Sequence, residues 1–288
     1  MTSVNWTPDF KALQPSFDLA IAEDIGDGDH SSLSCLDGQK RGRARLIIKD
    51  PGIIAGVALA EYLFKYIDTS AVLNVFIEDG SSIKPGDIIF EVEGNAVKLL
   101  QSERLVLNYM QRLSGIATSA SKYAAMISHT KCSVLDTRKT TPGLRTLEKW
   151  AVQLGGGGNH RMGLYDMIML KDNHIDFAGG ILPAVERVRT YLKSKDKDLK
   201  IEVETRDMSE VHQALEADAD RIMLDNFTLA QTVEAVALIG DKAETESSGG
   251  ITKKTLVAYA ECGVDFISIG ALTHQIASLD MSLKAIEE

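Results

Sequence analysis

Five cationic side chains, Arg138, Lys139, His160, Arg161 and Lys171, crowd into one stretch of an otherwise acidic chain. Arginine forks grip planar carboxylates through paired N–H···O bonds, and a lysine ammonium serves phosphate or carboxylate as a point charge. Such a cluster is a site for a strongly anionic small molecule. Two acids, Glu204 and Asp225, follow about one βα unit apart. Carboxylates beside an anion repel it unless they hold a bridging Mg²⁺ or bond to sugar hydroxyls, which is the balance a diphosphate-bearing sugar needs. Anion plus Mg²⁺ points to phosphoryl or phosphoribosyl chemistry. The runs Ser247-Ser248-Gly249-Gly250 and Gly270-Ala271 offer backbone N–H groups of the kind that hold phosphate in the late loops of barrels. Neither is a nucleotide fingerprint. Gly249 to Thr255 lacks the second glycine of a Walker A loop, and Gly155 to Gly158 lacks GxGxxG spacing.

Such side chains act together only if the chain brings them to one place. From about residue 113, short apolar runs recur with helical patterns between them. Residues 133–136, 167–170, 200–203, 219–224 and 265–269 read as strands buried on both faces. Residues 123–128, 181–191, 209–217, 230–239 and 253–262 supply the intervening helices. Repeated β-then-α units argue for a parallel sheet, closed as a barrel or open and doubly wound. Each strand then ends in chemistry: Asp136 to Lys139, Lys171 to His174, Glu204, Asp225-Asn226 and Gly270. Ligands of parallel α/β folds sit at the carboxyl ends of strands, so the separate ends agree.

Residues 1–112 read as a small α+β domain. An apolar stripe over 17–23 breaks at the turn-forming Asp24-Ile25-Gly26-Asp27-Gly28-Asp29. Strands are expected over 44–49, 52–55, 73–78 and 87–92, and helices over 58–66 and 99–110. The whole is ordinary globular material: 288 residues, 44% apolar and 25% charged. Forty-one acids against 31 bases give a formal net charge of −10, which disfavours sequence-independent binding to nucleic acid. The longest apolar run, 53–60, is far too short for a membrane span, and residues 1–11 lack the apolar core of a signal peptide. Cys35, Cys132 and Cys262 fit neither a disulfide framework nor a CxxC metal clip, so a reducing, cytoplasmic home is expected.

Taken in order, the motifs resemble the quinolinate phosphoribosyltransferase family over residues 20–275. They are Glu103-Arg104 with Leu107-Asn108, Ser114-Gly115-Ile116-Ala117-Thr118, Asp136-Thr137-Arg138-Lys139-Thr140-Thr141-Pro142-Gly143, and Gly156-Gly157-Gly158-Asn159-His160-Arg161. Leu170-Lys171-Asp172-Asn173-His174, Leu224-Asp225-Asn226 and Ser248-Gly249-Gly250-Ile251 complete the set. The resemblance implies that quinolinate and phosphoribosyl pyrophosphate become nicotinate mononucleotide, diphosphate and CO₂, for NAD synthesis. The implied fold is an N-terminal α+β sandwich domain (1–112) followed by an incomplete TIM-like α/β barrel (113–275). A C-terminal helix over 276–288 is expected to pack back on the first domain. A homodimer or higher oligomer with shared active sites is implied as well. By position, Arg138, His160, Arg161 and Lys171, with Arg104 of the neighbouring protomer, resemble the residues that hold quinolinate. Lys139, Lys171, Glu204, Asp225, Ser248, Gly249, Gly250 and Gly270 resemble those around phosphoribosyl pyrophosphate. Lys139, Glu204 and Asp225 would act on the reacting centre, and Glu204 and Asp225 would hold Mg²⁺; no organic cofactor is implied.

Other features carry less. Asp24, Asp27 and Asp29 do not fit an EF-hand, which would need glycine and glutamate where Ser32 and Gly38 stand, and are read as a turn. His30, His129, His212 and His274 have no partner at ligand spacing, and His174 lies close enough to Lys171 to stay open. Two rivals remain: transfer to a different aromatic acid, and an idle anion sensor on the same barrel. The sensor would have lost Lys139, Lys171, Glu204 or Asp225, and all four are present.

Overall fold

The computed structural model describes residues 6–286. Residues 1–5 and 287–288, which the first domain, the leader segment and the expected C-terminal helix took in, lie outside the described residues. A 3₁₀ turn (Phe10–Leu13) leads into α1 (Gln14–Ile25), α2 (His30–Cys35), β1 (Arg41–Ile48), β2 (Gly52–Ile53), α3 (Val57–Ile67), β3 (Val72–Val75), β4 (Ser82–Ile83) and β5 (Ile88–Asn95). Then come α4 (Ala96–Met126), β6 (Ser133–Leu135), α5 (Arg145–Leu154), β7 (Ile168–Leu170), α6 (Asp172–Ala178), α7 (Ile181–Ser194), β8 (Ile201–Thr205) and α8 (Met208–Glu216). The chain closes with β9 (Arg221–Asp225), α9 (Leu229–Ile239), β10 (Glu244–Ser248), α10 (Leu256–Glu261), β11 (Phe266–Ser268), α11 (Ala271–His274) and β12 (Met281–Ala285). It forms two compact units. Among the described residues one takes 6–121, 141–156 and 272–286; the other takes 122–140 and 157–271.

In the first unit an antiparallel sheet runs β12-β1-β5-β3. Along β1, Ala44, Leu46 and Ile48 are buried and alternate with less buried neighbours, the period-two pattern of a sheet with one packed face. Leu59, Leu63 and Phe64 of α3 are buried too, and each such side chain contributes about 1.5–3 kcal/mol. Asp79 starts α3: its carboxylate accepts the N–H groups of Gly56, Val57 and Ala58 at 2.6, 2.9 and 3.0 Å. Asp29 does the same for α2 through Ser32 N–H at 3.1 Å, so the acidic segment that resembled a calcium loop is a turn and a helix cap.

The expected helix over 276–288 is corrected. Residues 281–285 are a strand, β12, paired antiparallel to β1 from Ala44↔Ala285 to Ile48↔Met281. Met281 and Leu283 are buried on either side of the less buried Ser282, which is strand rather than helix periodicity. Two further elements differ from expectation. Residues 99–110 and 123–128 were expected as separate helices, yet 96–126 form one long helix, α4, and α5 has no counterpart among the expected elements. In α5, Glu148 is fully buried, taking the Arg112 guanidinium (Nε 2.8 Å) and the Thr141 N–H (3.2 Å). The first compact unit accordingly reaches Ser121 and takes in 141–156, where the sequence put a boundary after residue 112.

The second unit holds six parallel strands in the order β6-β11-β10-β9-β8-β7. From β7 to β11 each strand lies beside its successor, and the last, β11, lies beside the first, β6. That is the winding of a barrel with one open seam between β6 and β7; a doubly wound sheet would reverse direction. Beside β6 the chain adds a one-residue bridge, Leu135↔Gly158, with Gly158 N–H on Val134 C=O at 2.8 Å. A Cβ at Gly158 would stand 2.7 Å from Leu135 Cδ2, so a larger residue there would have to push that side chain aside. Among the described residues no helix is long and apolar enough to cross a membrane.

Candidate functional site

Side chains two apart on a strand share a face. Met169 is in register with Glu202, Glu204 with Met223, and Glu246 also with Met223, while Ser248 pairs with Asp225. One face of the sheet therefore carries two polar layers. The outer one, at the C-terminal ends, contains Lys171, Glu204, Asp225 and Ser248; the inner one contains Glu202 and Glu246.

In the outer layer Lys171 Nζ donates to Glu204 Oε2 at 3.1 Å. Asp225 Oδ2 accepts Asn226 Nδ2 at 2.8 Å, and Asn226 N–H reaches back to Ser248 C=O at 2.9 Å. Asn226 sits at φ +57° and Gly249 at φ +91°, so the ends of β9 and β10 make one tight corner. Glu204 Oε1 and Asp225 Oδ1 accept no hydrogen bond among the described residues. Two carboxylates with a spare oxygen each, beside a phosphate-type loop, suit Mg²⁺, which takes one or two carboxylates and fills its remaining positions from substrate and water. His174 plays a structural part, because its Nδ1 accepts the Lys171 N–H at 3.0 Å at the start of α6.

Arg138 and Lys139 follow β6 and are exposed, as is Lys171. Arg161 is half-buried, with Nη1 on Met167 C=O (3.2 Å) and Nη2 on Met169 Sδ (3.5 Å), one pleat below Lys171. Burial, and next the charge of Arg138, pull Arg161 below the ordinary arginine value. Two guanidinium groups near enough to disfavour one another, with an ammonium at the end of β7, have the charge and donor geometry to suit a di-anion. Arg104 is exposed on α4, within the first unit.

Of the residues expected to hold quinolinate, His160 is the buried one. It is 7% exposed, and its N–H is held by Asp136 Oδ1 at 2.9 Å. Its Nδ1 accepts the Arg161 N–H at 2.7 Å, and Nε2 lies 3.0 Å from Glu202 Oε2 and 3.5 Å from Glu246 Oε2. Both glutamates are fully buried; burial pushes each up to about 7, and for Glu246 the neighbouring Glu202 charge adds to the rise. Arg221 compensates them. Its Nη1 reaches Glu246 Oε2 at 3.0 Å, while Nε and Nη2 hold Glu244 Oε2 at 3.0 and 2.9 Å. Sequence reasoning missed Glu202, Arg221 and Glu246. A signal existed: Glu202/Glu204 and Glu244/Glu246 alternate in strands whose two faces should be apolar.

The family model described as quinolinate phosphoribosyl transferase, C-terminal domain, matches residues 116–284, and the corresponding N-terminal domain matches 29–114. The chain is 44% identical to the chloroplastic nicotinate-nucleotide pyrophosphorylase (carboxylating) of Arabidopsis thaliana, over 96% of this chain and 83% of that protein. It is 43% identical to quinolinate phosphoribosyltransferase (decarboxylating) 1b of Nicotiana tabacum, over 94% of this chain and 82% of that protein. A solved nicotinate-nucleotide pyrophosphorylase from Francisella tularensis matches with a TM-score of 0.89 at 35% identity, covering 98% of this chain and 99% of that one.

Proposed function

This chain belongs to the quinolinate phosphoribosyltransferase family, and from that premise we propose how its own residues carry the reaction. The enzyme joins quinolinate to phosphoribosyl pyrophosphate and yields nicotinate mononucleotide, diphosphate and CO₂, a step of NAD synthesis. The observation that carries the site assignment is the gathering at the C-terminal end of β7 of Arg161, held on Met167 and Met169, and Lys171, paired with Glu204 at 3.1 Å.

Quinolinate bears two adjacent ring carboxylates. Arg138, Arg161 and Lys171, with His160, neutralise them and turn the ring nitrogen toward the ribose anomeric carbon, with Arg104 of a second protomer closing the pocket in a homodimer. Lys139, Lys171, Ser248 and the backbone of Gly249, Gly250 and Gly270 hold phosphoribosyl pyrophosphate. The nitrogen lone pair forms the new bond to the anomeric carbon as the C–O bond to diphosphate breaks and its electron pair leaves with diphosphate. Lys139 meets that developing charge, and Glu204 and Asp225 favour the cationic ribose. Mg²⁺ held by Glu204 and Asp225 would supply charge neutralisation at the leaving diphosphate. The ring nitrogen, now cationic, stabilises the electron pair left on the neighbouring ring carbon when the adjacent carboxylate departs as CO₂. A proton then replaces it, so no organic cofactor is needed. We place the enzyme in the cytoplasm, without nucleic-acid or membrane partners.

Purified protein incubated with quinolinate, phosphoribosyl pyrophosphate and Mg²⁺ should release nicotinate mononucleotide and CO₂ in equal amounts, and only with Mg²⁺ present. Folded protein that binds phosphoribosyl pyrophosphate yet makes neither product would replace quinolinate by another aromatic acid.

A further inference from the structure

At the open seam of the barrel a side chain takes over a task that strand pairing performs elsewhere. Lys171 and Glu204 stand on β7 and β8, which are laddered to one another. The segment that carries His160 and Arg161 has less support: among the described residues its ladder contact is the single bridge Leu135↔Gly158. The residue after β6 fills that gap. Asp136 is fully buried, and a carboxylate shut away from water is costly unless its oxygens accept hydrogen bonds. Oδ1 accepts the His160 N–H at 2.9 Å, and Oδ2 accepts the Asn159 side-chain amide at 2.6 Å. The Asp136 N–H donates to Gly158 C=O at 3.2 Å, so the strand end is tied to the loop at three successive residues.

The cations hang from this tie on both sides. Arg138 and Lys139 follow Asp136 by two and three residues, His160 is bonded to it through its backbone, and Arg161 comes next. A rigid pair of adjacent carboxylates gains from two cationic segments only where their separation matches its own, so fixing that separation beforehand adds affinity. We propose that Asp136 is a positioning residue for quinolinate binding: its two accepted hydrogen bonds set the distance between the segment with Arg138 and the segment with His160 and Arg161, so that both meet the same substrate. Asp136 acts through the residues it ties and does not itself touch quinolinate. This rests on the quinolinate reading of the mouth.

The test compares the wild type with Asp136→Ala and Asp136→Asn. Alanine removes both accepting oxygens. Asparagine keeps one oxygen for the His160 N–H and offers an amide to Asn159, whose own amide then turns over to accept it. Asp136→Ala should bind quinolinate at least about tenfold more weakly and raise its KM by more than it lowers kcat. Phosphoribosyl pyrophosphate, whose proposed contacts leave out residues 158–161, should bind within about twofold of wild type. Asp136→Asn should stay within about threefold of wild type on quinolinate, because the tie and not the charge is what it needs. Amide hydrogen exchange at His160 should be slow in the wild type and in Asp136→Asn, and at least about tenfold faster in Asp136→Ala.

Native quinolinate affinity in folded Asp136→Ala would overturn the proposal, and so would an equal loss in the asparagine and alanine variants or an equal loss for both substrates. If Asp136→Ala does not fold, Asn159→Ala decides. It takes away the partner of Oδ2 alone and should weaken quinolinate about threefold with phosphoribosyl pyrophosphate unchanged, and native quinolinate affinity there would overturn the proposal as well. Wild-type protein that fails to bind quinolinate would instead remove the functional reading, and exchange at His160 would still decide whether Asp136 holds the loop.

Discussion

Gly249→Ala is the sharpest probe of the corner that joins β9 to β10. The residue sits at φ +91°, where an L side chain is strained by about 1–2 kcal/mol. The added Cβ would overlap Asn226 Oδ1 and stand 2.5 Å from its Cγ and 2.9 Å from its backbone N. The Asn226 side chain can swing away, but only by giving up its 2.8 Å bond to Asp225, worth about 1 kcal/mol for an exposed charge-assisted pair. Its backbone N cannot yield without moving the loop. The total is about 2–3 kcal/mol, which lowers Tm by about 5 °C in a chain of this size. Gly250 supplies the control. It has φ +60° with no atom within 4 Å of the place a methyl would take, so Gly250→Ala should lose only about 1 kcal/mol and about 2 °C. Calorimetric titration with phosphoribosyl pyrophosphate should find at least about tenfold weaker binding for Gly249→Ala, because Asp225 loses its anchor. Equal Tm and equal affinity for the two alanine variants would refute the argument, since it assigns the damage to the collision with Asn226.

Lys139→Ala should cut turnover by orders of magnitude while circular dichroism and Tm stay native; near-normal turnover would remove its role at the leaving group. Inactive Arg104→Ala and Lys139→Ala chains, once their subunits exchange, should recover part of the activity as a mixed dimer. No recovery would mean that each site is built within one chain. The Cys132 thiol is pushed up to about 12 by burial and then by the Asp265 charge, so it stays protonated and inert at about pH 8.5, where an ordinary thiol is half ionised. Iodoacetamide should label exposed Cys35 first and reach Cys132 only on unfolding, and native labelling of Cys132 at a similar rate would contradict that environment.

The mouth of the parallel sheet was legible because its chemistry falls where parallel strands end. Lys171, Glu204, Asp225 and Ser248 each follow or close a run of buried residues, and a ligand site belongs at that end. What escaped was set by contacts distant in sequence. Nothing next to His160 tells that its ring turns inward, because Glu202 and Glu246 reach it from two other strands. Helix α5 escaped because Glu148 and Lys149 are fully buried among Leu147, Trp150 and Ala151, so charge interrupts the apolar face that would have marked it. Within the glycine run, Gly155 serves packing and not a ligand: a Cβ there would overlap Ala117 C=O and come within 2.8 Å of Ala120 Cβ. Short β4 carries too few residues for an alternation to stand out.

The pairing of β12 with β1 also bears on how the chain is made. Ile48 meets Met281 across more than 230 residues, so the outer edge of β1 waits for its partner until all of those residues have been made. Until then a strand with the buried residues Leu46 and Ile48 presents an open row of N–H and C=O groups, a template on which nascent chains can pair with one another. A truncation that removes residues 281–285 would make that interval permanent, and its first consequence would be aggregation during expression, well before any loss at the mouth of the barrel.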